Sequence, residues 1–154
     1  MIFVDADGCP VKQEVYRVAG RHGLRVTLVS NSRMRVPEDD WIRLEVVSGG
    51  FDAADDWIVE HAGADDIVVT ADIPLADRCL KKGVRALTPK GKIFTEDSIG
   101  EVMASRELLS YLRDMGTITG GPAPFSPKDR SAFLHALDQL VKVVVRRAGV
   151  QERE

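Results

Sequence analysis

The sequence has little of what stabilises small secreted proteins and nothing that would cross a membrane. Its 154 residues include two cysteines, Cys9 and Cys79, and no CxxC pair, which argues against a disulfide framework or a zinc ribbon. No apolar run approaches the roughly 18 residues of a membrane-spanning helix. The segment Met1–Asp5 lacks the basic start of a secretory signal. We therefore expect a cytoplasmic protein with no membrane partner.

Aromatic residues are also scarce, at 6% of the chain, so no set of base-stacking side chains is evident. Apolar residues make up 44% and charged residues 29%, which is ordinary for a globular protein. The length predicts a single domain over residues 1–154. We expect a core over residues 1–90 and a helical extension over residues 91–150.

The net charge of −3 conceals an uneven distribution. Residues 1–77 contain 7 basic and 15 acidic side chains, whereas residues 78–154 contain 14 basic and 9 acidic ones. One interpretation is surface charge that is spread unevenly. The other is a carboxylate-lined, cation-binding site in the first half and a basic surface for a polyanion in the second.

Strands alternate with helices over the first 90 residues, which predicts an α/β fold with a mostly parallel sheet. The predicted strands are Ile2–Val4, Arg25–Val29, Arg43–Val47, Ile67–Thr70 and Val84–Leu87. Between them, helices are predicted from Pro10 to Gly23, over Asp52–Ala62 and over Ile73–Lys82. Two C-terminal helices should follow, at about Asp97–Met115 and Pro127–Arg147. The apolar stripe of the last helix, which runs from Phe133 to Val145, can pack on the sheet or on a second copy of the chain.

Ligands of open parallel sheets bind at the carboxyl ends of the strands. Six aspartates stand at or near such ends: Asp5, Asp7, Asp52, Asp55, Asp56 and Asp72. Carboxylates gathered in one cleft repel each other unless a cation lies among them, and oxygen ligands suit Mg²⁺ or Mn²⁺. The pattern thus predicts a site for one of these ions, and two such ions can hydrolyse a phosphodiester.

Each aspartate also has a purely structural interpretation. The three near residue 55 would favour a helix N-terminus electrostatically. Asp5 and Asp7 would form a turn beside Gly8, and Asp72 would be the N-cap of the helix that contains Leu75.

The segments Asp52-Ala53-Ala54-Asp55-Asp56-Trp57-Ile58 and Val68-Val69-Thr70-Ala71-Asp72 resemble the core of PIN-like and 5′-nuclease domains. This resemblance implies a PIN-like fold. It makes Asp5, Asp55, Asp56 and Asp72 metal ligands. We expect the catalytic residues to be Asp5, Asp7, Asp56 and Asp72, with Asp52 bound to the metal or directly behind its ligands. Ala53 and Pro74 occupy positions where the nuclease pattern usually has acids, which puts a second metal in doubt.

A second resemblance is to haloacid dehalogenase-like phosphatases. Phe3-Val4-Asp5-Ala6-Asp7-Gly8 resembles their nucleophile loop, and Val29-Ser30-Asn31 resembles their second motif. The resemblance would make Asp5 the nucleophile and Asp7 the acid/base. That mechanism needs a phosphate-neutralising lysine, but no lysine occurs between Lys12 and Lys81.

Taken whole, the chain resembles the YaiI/YqxD family of bacterial proteins. The resemblance rests on four segments: Val4-Asp5-Ala6-Asp7-Gly8-Cys9-Pro10-Val11, Asp55-Asp56-Trp57-Ile58, Thr70-Ala71-Asp72-Ile73-Pro74-Leu75-Ala76, and Gly120-Gly121-Pro122-Ala123-Pro124-Phe125 with Asp129-Arg130. It supports a PIN-like fold and brings no activity with it.

The function we expect is metal-dependent hydrolysis of phosphodiester bonds in RNA or DNA. Substrate or supporting contacts are expected from Lys12, Ser30, Asn31, Arg33, Lys128 and Arg130, although the basic ones among them also fit ordinary surface charge. The alternatives are a phosphatase with Asp5 as nucleophile, and a non-catalytic module that binds nucleic acid or protein.

Overall fold

The sheet has five strands, all parallel, in the order β3-β2-β1-β4-β5. A computed structural model describes residues 1–50, 52–101, 103–105 and 124–153, with side chains up to residue 147. The strands are β1 (Ile2–Asp5), β2 (Val26–Ser30), β3 (Ile42–Val46), β4 (Ile67–Val69) and β5 (Arg85–Leu87). The predicted α/β class and parallel sheet are confirmed.

Helices cover both faces of the sheet. They are α1 (Lys12–His22), α2 (Ala53–His61), α3 (Ile73–Lys81), α4 (helical residues 96–101 and 103–105) and α5 (Pro127–Arg153). The alternation of side chains along β1 assigns the two faces, because successive residues of a strand point to opposite sides. Ile2 and Val4 belong to the core that includes α1 and α5, whereas Phe3 belongs to the core that includes α2 and α3. Within the described residues, no helix is long and apolar enough to cross a membrane.

The C-terminal helix α5 packs on α1 and on the sheet through its buried stripe of Phe133, Leu137, Leu140, Val141 and Val144. This is the first of the two packings that the sequence allowed. Val145, which was predicted to share the stripe, is exposed. The helix also continues past the predicted end at Arg147, because backbone hydrogen bonding extends beyond the apolar stripe that marked it.

The start of α5 is predicted correctly, since Ser126 and Asp129 form a capping box. The Asp129 amide donates to Ser126 Oγ at 3.3 Å, and the Ser126 amide donates to Asp129 Oδ2 at 2.9 Å. The first predicted C-terminal helix is helical where the structure describes it, in α4. Its predicted residues 106–115 lie outside the described residues.

The loop after β5 contacts the first turns of α5 directly. Gly91 has a φ of +87°, and a Cβ added there would lie 2.7 Å from the carbonyl of Ala132. Only glycine fits both the backbone conformation and the space. The N-terminal part of α5 is therefore fixed beside the carboxyl edge of the sheet, where the predicted site residues lie.

Candidate carboxylate site

The buried hydroxyl of Thr70 connects two of the predicted site residues at the carboxyl edge of the sheet. Asp5 is the last residue of β1, and Thr70 directly follows the neighbouring strand β4. Thr70 Oγ1 donates to Asp5 Oδ2 at 2.8 Å and accepts from the Asp72 amide at 2.9 Å. Because Thr70 is 1% exposed, its hydroxyl has a fixed orientation. Asp5 and Asp72 are thus positioned by the same atom.

Asp72 is the N-cap of α3, as its structural interpretation predicted. Its Oδ1 accepts a hydrogen bond of 2.9 Å from the Leu75 amide, which satisfies one of the free donors of the first helical turn. Among the described residues, no hydrogen bond is made to Asp72 Oδ2 or to Asp5 Oδ1. Capping therefore does not exclude a second role, because each carboxylate retains one oxygen for a ligand.

Asp55 is electrostatically coupled to both of these carboxylates. Its pKa is raised from 3.8 to about 6, first by burial and then by the negative charges of Asp72, Asp5 and Asp52 in that order, against the lowering effect of Arg78. The pKa of Asp5 is also raised, first by burial and then by Asp72 and Asp7, although the Thr70 hydrogen bond lowers it. We call Asp5, Asp55 and Asp72 the carboxylate cluster.

The neighbouring Asp56 is oriented differently. Its carboxylate is 63% exposed and accepts a hydrogen bond of 2.9 Å from Arg78 Nη1 on α3. Consecutive helical residues point about 100° apart, so Asp55 and Asp56 leave α2 in different directions. The expected role of Asp56 as a ligand and catalytic residue gains no support from this position. Asp52 is exposed just before α2 and acts on Asp55 through its charge.

Asp7 joins two loops at the carboxyl edge. Its Oδ1 accepts from Ser30 Oγ at 2.7 Å and its Oδ2 accepts from the Asn31 amide at 2.9 Å. Ser30 is fully buried at the end of β2. The expected site residues Asp7, Ser30 and Asn31 are therefore brought together, and their mutual bonds connect the loop after β1 to the loop after β2.

The predicted basic contacts are spread over several surfaces. Arg130 on α5 donates to Glu14 Oε1 at 2.7 Å and to the Pro10 carbonyl at 3.1 Å, so its guanidinium connects α5 to the start of α1. Lys12 is the first residue of α1, and its positive charge lowers the pKa of Cys9, which burial raises overall. Arg33 and Lys128 are exposed. Of these residues, Arg130 has a structural role that the sequence did not indicate.

The carboxylate cluster has the type of donor atom that a divalent cation prefers, but its side chains are not close enough together to bind one as they stand. Every member of the carboxylate cluster is a hard oxygen donor of the kind that Mg²⁺ and Mn²⁺ prefer. Within the described part of the chain, however, no three histidine, cysteine, aspartate or glutamate side chains lie close enough to bind a metal ion. A cation would have to draw the three carboxylates closer together.

Two residues of the site were not among the predicted ones. Thr70 is the last residue of a predicted strand and stands two residues before Asp72. This position could have predicted that its hydroxyl contacts the site. Arg78 gave no signal, because its contact with Asp56 depends on how α2 packs against α3.

Comparison with known proteins identifies relatives across nearly the whole chain. Residues 3–143 match the model of a family described as "Uncharacterized BCR, YaiI/YqxD family". A UPF0178 protein of Bradyrhizobium sp. (strain ORS 278) is 54% identical over 150 residues, which are 97% of this chain and 92% of the relative. A UPF0178 protein of Brucella ovis is 56% identical over 149 residues, with 96% and 92% coverage. No solved structure matches significantly. The chain therefore belongs to the uncharacterised YaiI/YqxD family, as its motifs indicated.

Proposed function

We propose that this protein is a metal-dependent nuclease. Its carboxylate cluster would bind Mg²⁺ or Mn²⁺, and its substrate would be RNA or DNA in the cytoplasm. The observation that carries the proposal is the convergence of Asp5 and Asp72 on the buried hydroxyl of Thr70, at 2.8 and 2.9 Å. The charges of these two aspartates, after burial, contribute to raising the pKa of Asp55 to about 6.

Gathering these carboxylates has an energetic cost that a purely structural role does not explain. A raised carboxylate pKa means that the folded protein disfavours the ionised form. A divalent cation removes that penalty by neutralising the charges, and strong pKa perturbation at the carboxyl edge of a parallel sheet is typical of functional sites. When bound, the ion would activate water and stabilise charge on the phosphate.

The residues around the cluster would position it for this chemistry. Thr70 orients Asp5 by its hydrogen bond and fixes the backbone at Asp72. Asp7 connects the loops after β1 and β2 through Ser30 and Asn31. The all-parallel order β3-β2-β1-β4-β5 places β1 and β4 side by side, so Asp5 and Asp72 emerge from neighbouring strands. This arrangement supports the PIN-like resemblance, which we include in the proposal.

A cleavage assay tests the proposal. Wild-type protein and the variants Asp72→Asn and Asp55→Asn are incubated with labelled single-stranded RNA and DNA, in Mn²⁺, in Mg²⁺ and in EDTA. Asn remains a good N-cap, so Asp72→Asn removes charge while leaving α3 intact. Asp65→Asn is the matched control, because Asp65 is exposed in the loop before β4, at the opposite edge of the sheet.

We expect metal-dependent cleavage by wild type and the control, and a loss of at least a hundredfold in both cluster variants. Hydrolysis of p-nitrophenyl phosphate without cleavage of polynucleotides would overturn the proposal in favour of a phosphatase with Asp5 as nucleophile. Binding of RNA without cleavage, unchanged by Asp5→Asn, would overturn it in favour of a non-catalytic binding module.

A further inference from the structure

We infer that Arg78 binds the scissile phosphate beside the carboxylate cluster, and that Asp56 positions its guanidinium in the absence of substrate. The inference rests on the proposed function and deepens it. It assigns a substrate-binding role to a residue that no sequence motif singles out, and a positioning role to one that the motifs had made a metal ligand.

Arg78 lies close enough to the carboxylate cluster for its charge to act on Asp55. It lies on α3, the helix whose N-cap is the cluster residue Asp72. Its Nη1 is 2.9 Å from Asp56 Oδ1, and its positive charge also lowers the pKa of Asp55. The guanidinium is therefore within electrostatic range of the cluster while its hydrogen bond is directed to the neighbouring residue on α2.

The ion pair between Arg78 and Asp56 is open to solvent and weak. The two side chains are 45% and 63% exposed, and ion pairs this open to solvent contribute little to stability, typically about 0–1 kcal/mol. A phosphodiester can therefore take the place of Asp56 at small cost. A guanidinium also forms two parallel hydrogen bonds to phosphate oxygens, which an ammonium group cannot.

The negative charge of the site favours a cation that binds the phosphate. Three carboxylates repel a phosphodiester, and a single divalent ion neutralises only part of their charge. Of the four basic residues that the sequence predicted to contact substrate, Arg130 is already engaged by Glu14 and the Pro10 carbonyl. Arg78 also has an ion-pair partner, Asp56, but this partner is 63% exposed, so a phosphate can displace it more easily.

The test compares Arg78→Met, Arg78→Lys and Asp56→Asn with Arg21→Met. Arg21 is a suitable control because it is an exposed arginine in an ion pair, with Asp138, near the far end of α1. KM and kcat are measured on single-stranded RNA in Mn²⁺. Binding of the same RNA is measured against salt concentration in the cleavage-deficient Asp72→Asn background, and Mn²⁺ affinity is measured by calorimetry.

We expect Arg78→Met to raise KM about tenfold or more, and to reduce the slope of log affinity against log salt by about 0.7. Arg78→Lys should restore the wild-type salt slope, because lysine keeps the charge. It should lower KM only part of the way back to the wild-type value, because lysine cannot form the two parallel hydrogen bonds. Neither variant should weaken Mn²⁺ binding. Asp56→Asn should leave Mn²⁺ affinity within about twofold, since Asp56 would position Arg78 rather than bind metal.

Two further results separate the inference from the function on which it rests. If wild type cleaves RNA while Arg78→Met retains its KM and salt slope, the inference is wrong and the nuclease stands. If Asp56→Asn abolishes Mn²⁺ binding, Asp56 is a ligand and the positioning role is wrong. If wild type neither cleaves RNA nor binds Mn²⁺ or RNA, the nuclease proposal fails, and the role of Arg78 fails with it. Unfolding midpoints close to wild type in all variants would exclude misfolding as the cause.

Discussion

The hydroxyl of Thr70 donates a hydrogen bond of 2.8 Å to Asp5 across the β1–β4 strand pair. The same oxygen accepts from the backbone of Asp72. Thr70, which lies 65 positions after Asp5 in the sequence, thus connects Asp5 to Asp72 through a single buried atom. This connection is what allows a strand end and a helix N-cap to act as one site, because neither aspartate can shift without breaking a bond to Thr70.

Replacing Thr70 by valine removes the hydroxyl with little change of shape. The partly buried Asp72 amide loses its acceptor, and the partly buried Asp5 carboxylate loses a donor. Since leaving buried polar groups unsatisfied costs about 1–3 kcal/mol each, we expect the free energy of unfolding to fall by about 2 kcal/mol. Urea denaturation measures this loss, and its slope should not change. Thr70→Ser retains the oxygen and should lose much less; equal losses in both variants would show that the hydroxyl is not responsible.

Asp55→Asn should make the metal-free protein more stable at neutral pH. The folded-state pKa of Asp55 is raised to about 6 from 3.8. The native state then binds a proton that the unfolded state has released, so stability falls as pH rises from about 4 to 6. Well above pH 6, Asp55 is ionised in both the native and the unfolded state, and the loss in free energy of unfolding is complete. Because Asp55 is only half-buried, solvent screens it, and we expect the variant to gain about 1 kcal/mol at pH 8.

The gain of Asp55→Asn should disappear near pH 4, where the wild-type carboxyl is protonated. Thermal unfolding in EDTA at both pH values measures the difference. Addition of Mn²⁺ should raise the midpoint of wild type more than that of the variant, since binding to the native state stabilises it. A variant that is less stable than wild type at pH 8 would contradict the proposed penalty.

The sequence predicts the fold well because its signals are local. Buried β-branched runs such as Ile67–Val69 alternate with amphipathic helices, and this pattern specifies a parallel sheet. Once β1 and β4 are adjacent, the approach of Asp5 and Asp72 follows. The sequence does not reveal which of Asp55 and Asp56 faces them, because that choice depends on the rotation of α2 against the sheet, a property of packing rather than of composition.

Long-range pairs are the other part that the sequence does not reveal. Arg130 was expected to contact substrate, yet it binds Glu14, which is 116 positions away. One signal existed for Glu14, because positions 11, 14, 15 and 18 share the apolar face of α1 at helical spacing. An acid on that face predicts burial and a partner. It does not identify the partner, since α5 is remote in sequence.

Arg130→Met should destabilise the fold through Glu14. This glutamate is 8% exposed, and its Oε2 is buried with no hydrogen-bond partner in the described part of the chain. Loss of Arg130 would leave Oε1 unpaired as well. Breaking a buried pair costs about 3–5 kcal/mol, and since Arg130 is itself half-exposed we expect about 2 kcal/mol.

Urea unfolding of Arg130→Met, Glu14→Gln and the double variant measures the coupling between the two residues. The double variant should be more stable than the sum of the single losses predicts. A cost below about 0.5 kcal/mol for Arg130→Met would mean that the pair behaves as an ordinary surface contact.

Asp138 on α5 should contribute stability that disappears in acid. The hydrogen bond with His22 Nε2, at 2.8 Å, and then the one with Lys142 lower the pKa of this carboxyl from 3.8 to about 2. Between these values the unfolded chain binds a proton that the native state does not, so stability rises with pH there. The contribution is complete above about pH 4 and is lost as pH falls through 2.

Asp138→Asn should therefore unfold at a lower temperature than wild type at pH 7, and the difference should close as the pH approaches 2. Lys142→Met should reproduce part of this loss, because it removes one of the bonds that lower the pKa of Asp138. A difference that stays constant down to pH 2 would mean that Asp138 stabilises the contact between α1 and α5 through its shape and not its charge.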